Sequence, residues 1–153
     1  MDFDAIDDSL LVGSAFDAAD VPYLVELGVG AVVSLQAEAP DPEEALQAAG
    51  IACTRICCED FTAPSLGQID DAVDAIRDHW GAGRRVYLHC FAGLQRSVTI
   101  AACALIASDP DRWNAKSALE EVCSKRRHAC PMRSQVDAVL DYDRYVRAMR
   151  SVG

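Results

Sequence analysis

Nine consecutive residues, His89-Cys90-Phe91-Ala92-Gly93-Leu94-Gln95-Arg96-Ser97, place a nucleophile, a cation and a turn-forming glycine within reach of one another. The run Arg84 to His89 before them reads as a strand with Val86 and Leu88 on one face. Val98 to Ala107 after them is apolar on every side, as a helix buried in the core would be. A loop entering a helix at that point aims its backbone N–H groups at a common centre, and the helix N-terminus adds partial positive charge. Together they make an anion site. Gly93 lets the backbone turn tightly around a bound group. Arg96 can hold two phosphate oxygens with its planar fork. The same positive field favours the thiolate of Cys90, and a thiolate facing a bound phosphorus is a nucleophile in place. The alternative is a packing cysteine beside an incidental arginine. It leaves unexplained why a cation opens an otherwise apolar helix, where it needs an anion to face.

Cleavage of a phosphate ester also needs a proton for the departing oxygen, and a carboxylic acid on a loop would serve. Asp60 follows the expected strand Ile51 to Cys58, precedes a helix capped by Ser65 and lies 30 residues before Cys90. Glu59 is its nearest rival; Asp70 and Asp71 fall inside the helix, where solvated carboxylates are expected.

The nine-residue segment resembles the signature loop of the cysteine-dependent protein tyrosine phosphatase superfamily, Cys-x5-Arg, in the longer form His-Cys-x-x-Gly-x-x-Arg-Ser of its dual-specificity branch. His89, Cys90, Gly93, Arg96 and Ser97 fill every fixed position of that form. The likeness extends from about Leu10 to the last helix, through Leu10-Leu11-Val12-Gly13-Ser14 and the strand-like run from Gly28 to Leu35. Pro131 and Gln135 fit it more loosely and carry no catalytic role from it. The resemblance implies two-step hydrolysis of a phosphomonoester with no metal or other cofactor. Cys90 would attack, while Arg96 and the amides of Phe91, Ala92, Gly93, Leu94, Gln95 and Arg96 bind phosphate. His89 would orient the loop and tune Cys90, Ser97 would assist the departing sulfur, and Asp60 would serve as acid and then base at the separation the family uses. By themselves His89 and Ser97 read as a core histidine and a capping serine. Low-molecular-weight phosphatases carry such a loop near the N-terminus with the acid far downstream, so the central loop and upstream acid argue against that architecture. Rhodanese-type sulfur transfer and a non-catalytic phosphate reader are further rivals.

The expected substrate is a phosphorylated protein. Phe91, Ala92, Leu94 and Gln95 include no lysine or arginine, which suits a single phosphate on a peptide: phosphotyrosine, with phosphoserine and phosphothreonine as further candidates. The alternative within the superfamily is a phospholipid or phosphoinositide. At least one of Cys57 and Cys58 is expected to pack in the strand, with a redox partnership of one of them to Cys90 as the other reading.

The elements that must position these groups alternate, as in an α/β domain with a central, mainly parallel sheet flanked by helices. Leu10 to Val12 and Ala31 to Leu35 are strand-length apolar runs, and between them Asp20 can cap a short helix that stops at Gly28. Asp41-Pro42-Glu43-Glu44 reads as a helix start with a capping aspartate, and that helix should end at Gly50. Ser65 to Gln68 forms a capping box for a helix with Ile69, Ala72, Val73, Ile76 and Trp80 on one face, with His79 at its surface and Gly81 and Gly83 at its end. Two more helices are expected at Ala115 to Arg127 and Arg133 to Met149. The basic run Lys125-Arg126-Arg127-His128 suits either a helix C-terminus or a phosphate-attracting rim.

The 153 residues are about half hydrophobic, enough for one packed core over 1–153. A net charge of −10 argues against nucleic acid and anionic membranes as partners. The longest uncharged stretch, Ser97 to Ser108, is shorter than a membrane span, and Met1 opens no signal-like segment, so a cytoplasmic protein is expected. Seven cysteines with no CxxC pair fit free thiols rather than a disulfide framework or a zinc site. Oligomeric state is not legible.

Overall fold

The computed structural model describes residues 1–152. Five strands form one sheet: β1 (Phe3–Asp7), β2 (Leu10–Gly13), β3 (Val29–Gln36), β4 (Ala52–Cys58) and β5 (Arg85–His89). Their order is β1-β2-β5-β3-β4, and only β1 runs antiparallel. The helices are α1 (Val21–Glu26), α2 (Glu43–Ala48), α3 (Leu66–Gly81), α4 (Arg96–Ser108), α5 (Ala115–Lys125) and α6 (Arg133–Val152). Val21 and Leu24 of α1 and Leu46 of α2 pack with Leu11, Val32 and Tyr87 on one face of the sheet. The larger core lies on the other face, where α3, α5 and α6 surround α4. The expected mainly parallel sheet flanked by helices is the architecture found. Among the described residues no helix is long and apolar enough to cross a membrane.

Central strand β5 is hydrogen-bonded on both sides, to β2 and β3. Its alternation separates Val86 and Leu88, which join the larger core, from Tyr87, which joins the smaller one. Helix α4 is buried along nearly its whole length, as its all-round apolar sequence requires. Fully burying each of Val98, Ile100 and Ile106 stabilises the fold by roughly 1.5–3 kcal/mol. Strand and helix together hold the segment between them rigidly at the C-terminal edge of a parallel sheet, the usual site of ligands in such sheets.

Three local expectations are corrected, and one strand is added. The added strand is β1, a five-residue edge strand of sequence Phe-Asp-Ala-Ile-Asp in which only Ile6 is buried. Asp20 does not cap α1: Asp17 caps a short 3-10 turn before it, and Asp20 bonds back to the N–H of Asp17. Asp41 does not cap α2, whose start has no side-chain cap; its carboxylate turns into the interior. His79 is buried, with its ring 3.3 Å from Thr54 Oγ1, and burial and Arg84 both disfavour its charged form. The Ser65–Gln68 capping box forms as expected, and Gln68 also reaches the carbonyl of Cys57.

Candidate active site

Beyond His89 the chain makes a tight loop whose backbone carbonyls all have partners outside it. His89 Nδ1 lies 3.0 Å from the Cys90 oxygen, and the N–H of Ala15 donates to that of Phe91 at 2.8 Å. Arg126 donates to the oxygens of Ala92 and Gly93, the N–H of Cys130 to that of Leu94, and Thr99 to that of Gln95. In a trans peptide the C=O and the following N–H point in opposite directions. Six carbonyls turned outward, Cys90 to Gln95, therefore turn the six N–H groups from Phe91 to Arg96 inward. Gly93 has φ +73°, and a Cβ there would strike the backbone of Gly13, so the loop closes only with glycine.

Cys90 is 2% exposed at the floor of this loop. Its Sγ accepts from the N–H of Gly93 at 3.2 Å and lies 3.3 Å from Ser97 Oγ. The His89 ring is held at its other end by Asp41 Oδ1 at 2.8 Å, and the second Asp41 oxygen meets Arg55 Nε at 3.0 Å. Burial alone would raise the Asp41 carboxyl, but hydrogen bonds from His89 and Ser34 and the neighbouring charges of His89 and Arg55 hold it below the ordinary carboxylate value.

Arg96 is 1% exposed, and its terminal nitrogens carry Glu38 in a bidentate pair of 2.8 and 2.7 Å. Nη1 also donates to the Cys58 carbonyl at 3.0 Å, and Nη2 lies 3.2 Å from Asp60 Oδ1. The remaining Nε is buried with no partner. A buried guanidinium N–H left open beside inward-facing amides is a place for an oxyanion. Glu38 thus orients the arginine through its far edge. The Arg96 hydrogen bonds bring its carboxyl down from 4.5 to about 2, against some desolvation.

Glu38→Gln keeps the shape but loses one of the two charge-assisted hydrogen bonds. It should lower kcat/KM on a phosphate ester by roughly 10-fold, the scale of one such bond. The sign of the linkage is fixed by the lowered value. The stabilisation from Glu38 is fully present above about pH 4.5 and is lost as pH falls towards 2. Urea denaturation should separate wild type from variant at pH 7 and bring them together near pH 2.

Asp60 lines the same pocket as Cys90 and Arg96, and Glu59 does not. The acid-bearing loop is held by Gln135, which is buried in α6 and donates to the Thr62 carbonyl at 3.2 Å, and by Thr62 Oγ1, which donates to the Glu59 carbonyl. Phe61 follows Asp60 with φ +58°, a conformation bulky residues rarely adopt, and stands 69% exposed at the pocket mouth. Phe91, 58% exposed, stands across the loop side of the same mouth. Asp70 lies in α3, where it accepts from the Tyr145 hydroxyl.

The two adjacent cysteines separate. Cys57 is exposed, while Cys58 is buried in the core cluster that contains Cys90, and burial pushes its thiol up to about 11. Any disulfide that mild peroxide forms from Cys90 should therefore run to Cys58 and none to Cys57, with peptide mapping as the check. The basic run does not make a free rim. Lys125 pairs with Glu121, Arg126 is buried, and Arg127 pairs with Asp4 and Asp2. Glu38, Asp41 and Arg126 stand at the site in positions that sequence reasoning did not give them: Glu38 carried no signal, Asp41 had the context of a helix cap, and Arg126 read only as part of a basic run.

A cysteine cradled by inward amides, an arginine and a nearby loop carboxylate at the edge of a parallel sheet defines a phosphate-handling thiol site. Residues 11–109 match the family model described as "Polymorphic toxin system, DSP-PTPase phosphatase". The chain belongs to this family of cysteine-dependent phosphatases, in the dual-specificity branch of the protein tyrosine phosphatase superfamily. It is similar to phosphatidylglycerophosphate phosphatase PTPMT2 of Arabidopsis thaliana, 34% identical over 145 residues, covering 93% of this chain and 63% of that one. It is also similar to human dual specificity protein phosphatase 1, 29% identical over 140 residues, covering 91% of this chain and 36% of the other. The chain thus spans less than two thirds of either relative. Among solved structures, that of PTPMT1 shares the fold with a TM-score of 0.89 at 24% identity, covering 99% of both chains. Human DUSP28 shares it with a TM-score of 0.81 at 23% identity, covering 95% of both.

Proposed function

We propose that this phosphatase hydrolyses phosphotyrosine in proteins, and that Cys90, Arg96, Asp60, Ser97 and His89 perform the chemistry. The Cys90 thiolate attacks phosphorus as the ester P–O bond breaks, and the departing oxygen takes the proton of Asp60. The inward amides from Phe91 to Arg96, with the open Nε of Arg96, hold the equatorial oxygens. In the second step Asp60 takes a proton from water, the water oxygen attacks phosphorus, and the P–S bond breaks. Ser97 donates a hydrogen bond to the departing sulfur, and inorganic phosphate leaves. His89, fixed between Asp41 and the Cys90 carbonyl, keeps the loop in register.

The pocket wall supports the substrate class. The cavity of about 250 Å³ is flanked by Phe61, Phe91 and Leu94, and Arg96 is the only cation among its lining residues. One phosphate on a flat, uncharged aryl group suits such a wall. The second reading is a phospholipid monoester, favoured by the similarity to phosphatidylglycerophosphate phosphatase PTPMT2. Such a lipid carries a further phosphodiester charge, for which no second cation lines the pocket. Measured under one detergent condition, kcat/KM should be highest for a phosphotyrosine peptide, ahead of phosphoserine, phosphothreonine, phosphatidylglycerophosphate and phosphoinositide substrates. A strong preference for either lipid over every peptide would overturn the assignment.

A further inference from the structure

We propose that Arg126 is a positioning residue for the phosphate loop, holding the peptides after Ala92 and Gly93 in the orientation that turns their amides towards the anion. The proposal rests on the assignment of the Cys90 loop as a phosphate cradle. Arg126 is fully buried, on the side of the loop away from the pocket. Its Nε donates to the Gly93 oxygen at 2.9 Å and Nη2 to the Ala92 oxygen at 3.1 Å. These two carbonyls belong to the peptides whose N–H groups come from Gly93 and Leu94. The Gly93 N–H is the one that meets Cys90 Sγ. The other carbonyls of the loop are held by backbone N–H groups, by the neighbouring His89 or within the first turn of α4. Ala92 and Gly93 alone depend on a side chain distant in sequence. The two peptides flank Gly93, the position with positive φ, where a peptide reverses most easily.

A buried guanidinium requires compensating charge. Asp4 accepts from Nη1 at 3.0 Å and Asp2 from Nη2 at 2.9 Å, so the first residues of the chain complete the support of the loop. Four of the five guanidinium N–H groups are then engaged, two on carboxylates and two on adjacent carbonyls. An ammonium could satisfy the carboxylates but could not span the two carbonyls with a planar fork. The neighbouring Arg127 gives the contrast. It pairs with the same Asp4 and Asp2, yet it is 69% exposed along its side chain and touches no loop carbonyl.

Arg126→Lys preserves the charge opposite Asp2 and Asp4, and Arg126→Met removes it. The probes are orthophosphate, as a competitive inhibitor, and an aryl phosphate substrate, used on protein shown by circular dichroism and thermal melting to be folded at the assay temperature. Arg126→Lys should weaken orthophosphate binding and lower kcat/KM by about 10- to 100-fold, the scale of one or two charge-assisted hydrogen bonds. Arg127→Gln should shift the melting temperature and leave orthophosphate affinity unchanged. If Arg126→Met does not fold, the lysine variant alone decides. Added guanidinium should restore activity to Arg126→Gly in proportion to its concentration. Folded Arg126→Lys with wild-type orthophosphate affinity and kcat/KM would show that Arg126 only braces the N-terminal strand, and would overturn the proposal. Wild-type protein that neither binds orthophosphate nor cleaves the aryl phosphate would instead refute the cradle assignment, and the positioning role would fall with it.

Discussion

Cys90→Ser protein should bind orthophosphate or tungstate while cleaving no phosphate ester at a measurable rate. The serine hydroxyl can take the place of the sulfur, accepting from the N–H of Gly93 and bonding to Ser97. The loop carbonyls keep their outer partners, so the inward amides and Arg96 Nε remain in place to hold an oxyanion. The nucleophile is lost because an alcohol stays protonated near neutral pH, and no base within its contacts would take its proton. The loss in kcat should be on the order of 10⁴-fold or more, the scale seen when a covalent nucleophile is removed. Oxyanion affinity should stay the same or rise, since every donor around the ligand is kept. Turnover above background by the variant, free of wild-type contamination, would remove Cys90 from the centre of the mechanism.

Asp60→Asn should lower kcat on phosphopeptides by roughly 10²–10⁴-fold, the usual range for general acid–base catalysis. A general acid matters in proportion to the leaving group's need for a proton. Serine and threonine alkoxides need it most, tyrosine phenolate less, and a nitrophenolate or fluorinated phenolate hardly at all. In single-turnover measurements of phosphate transfer, the effect should therefore shrink as the leaving group becomes more acidic. Glu59→Gln is the control, because Glu59 lies outside the pocket that Asp60 lines. If the two variants exchange behaviours, Glu59 is the acid. If neither shows leaving-group dependence, the acid lies outside this loop.

The legible parts of this protein share one property: their physics is local. Strand β5, the buried helix α4 and the loop between them follow from side-chain periodicity and one glycine, all within a short stretch of chain. The Ser65–Gln68 cap is likewise a contact across three residues. Local rules failed where a tertiary partner outcompeted them. Asp41 has the sequence context of a helix cap, yet the His89 ring and the Arg55 guanidinium offer its carboxylate partners in the interior, and it leaves the helix end. His79 has the context of a surface residue but is packed against β4 through Thr54. The short edge strand β1 buries only Ile6, too little for a periodic signal, and beside its antiparallel pairing with β2 Arg126 and Arg127 close on Asp2 and Asp4.

Sequence by itself pointed to Cys90 and Arg96 as the proposed nucleophile and phosphate ligand and to the strand–loop–helix context around them, because loop length, glycine freedom and helix polarity act between near neighbours. It also narrowed the acid to a single loop. Tertiary structure alone decided which carboxylate steadies Arg96 and which arginine steadies the loop. Glu38 and Arg96 are 58 residues apart, and Asp4 and Arg126 are 122 apart. Charged side chains carry no periodic signal, and this chain has many carboxylates that could pair with any given arginine. The choice is made only when strand order and buried surface bring particular groups out of water together. There an unpaired charge is costly, and the partner within reach becomes part of the site.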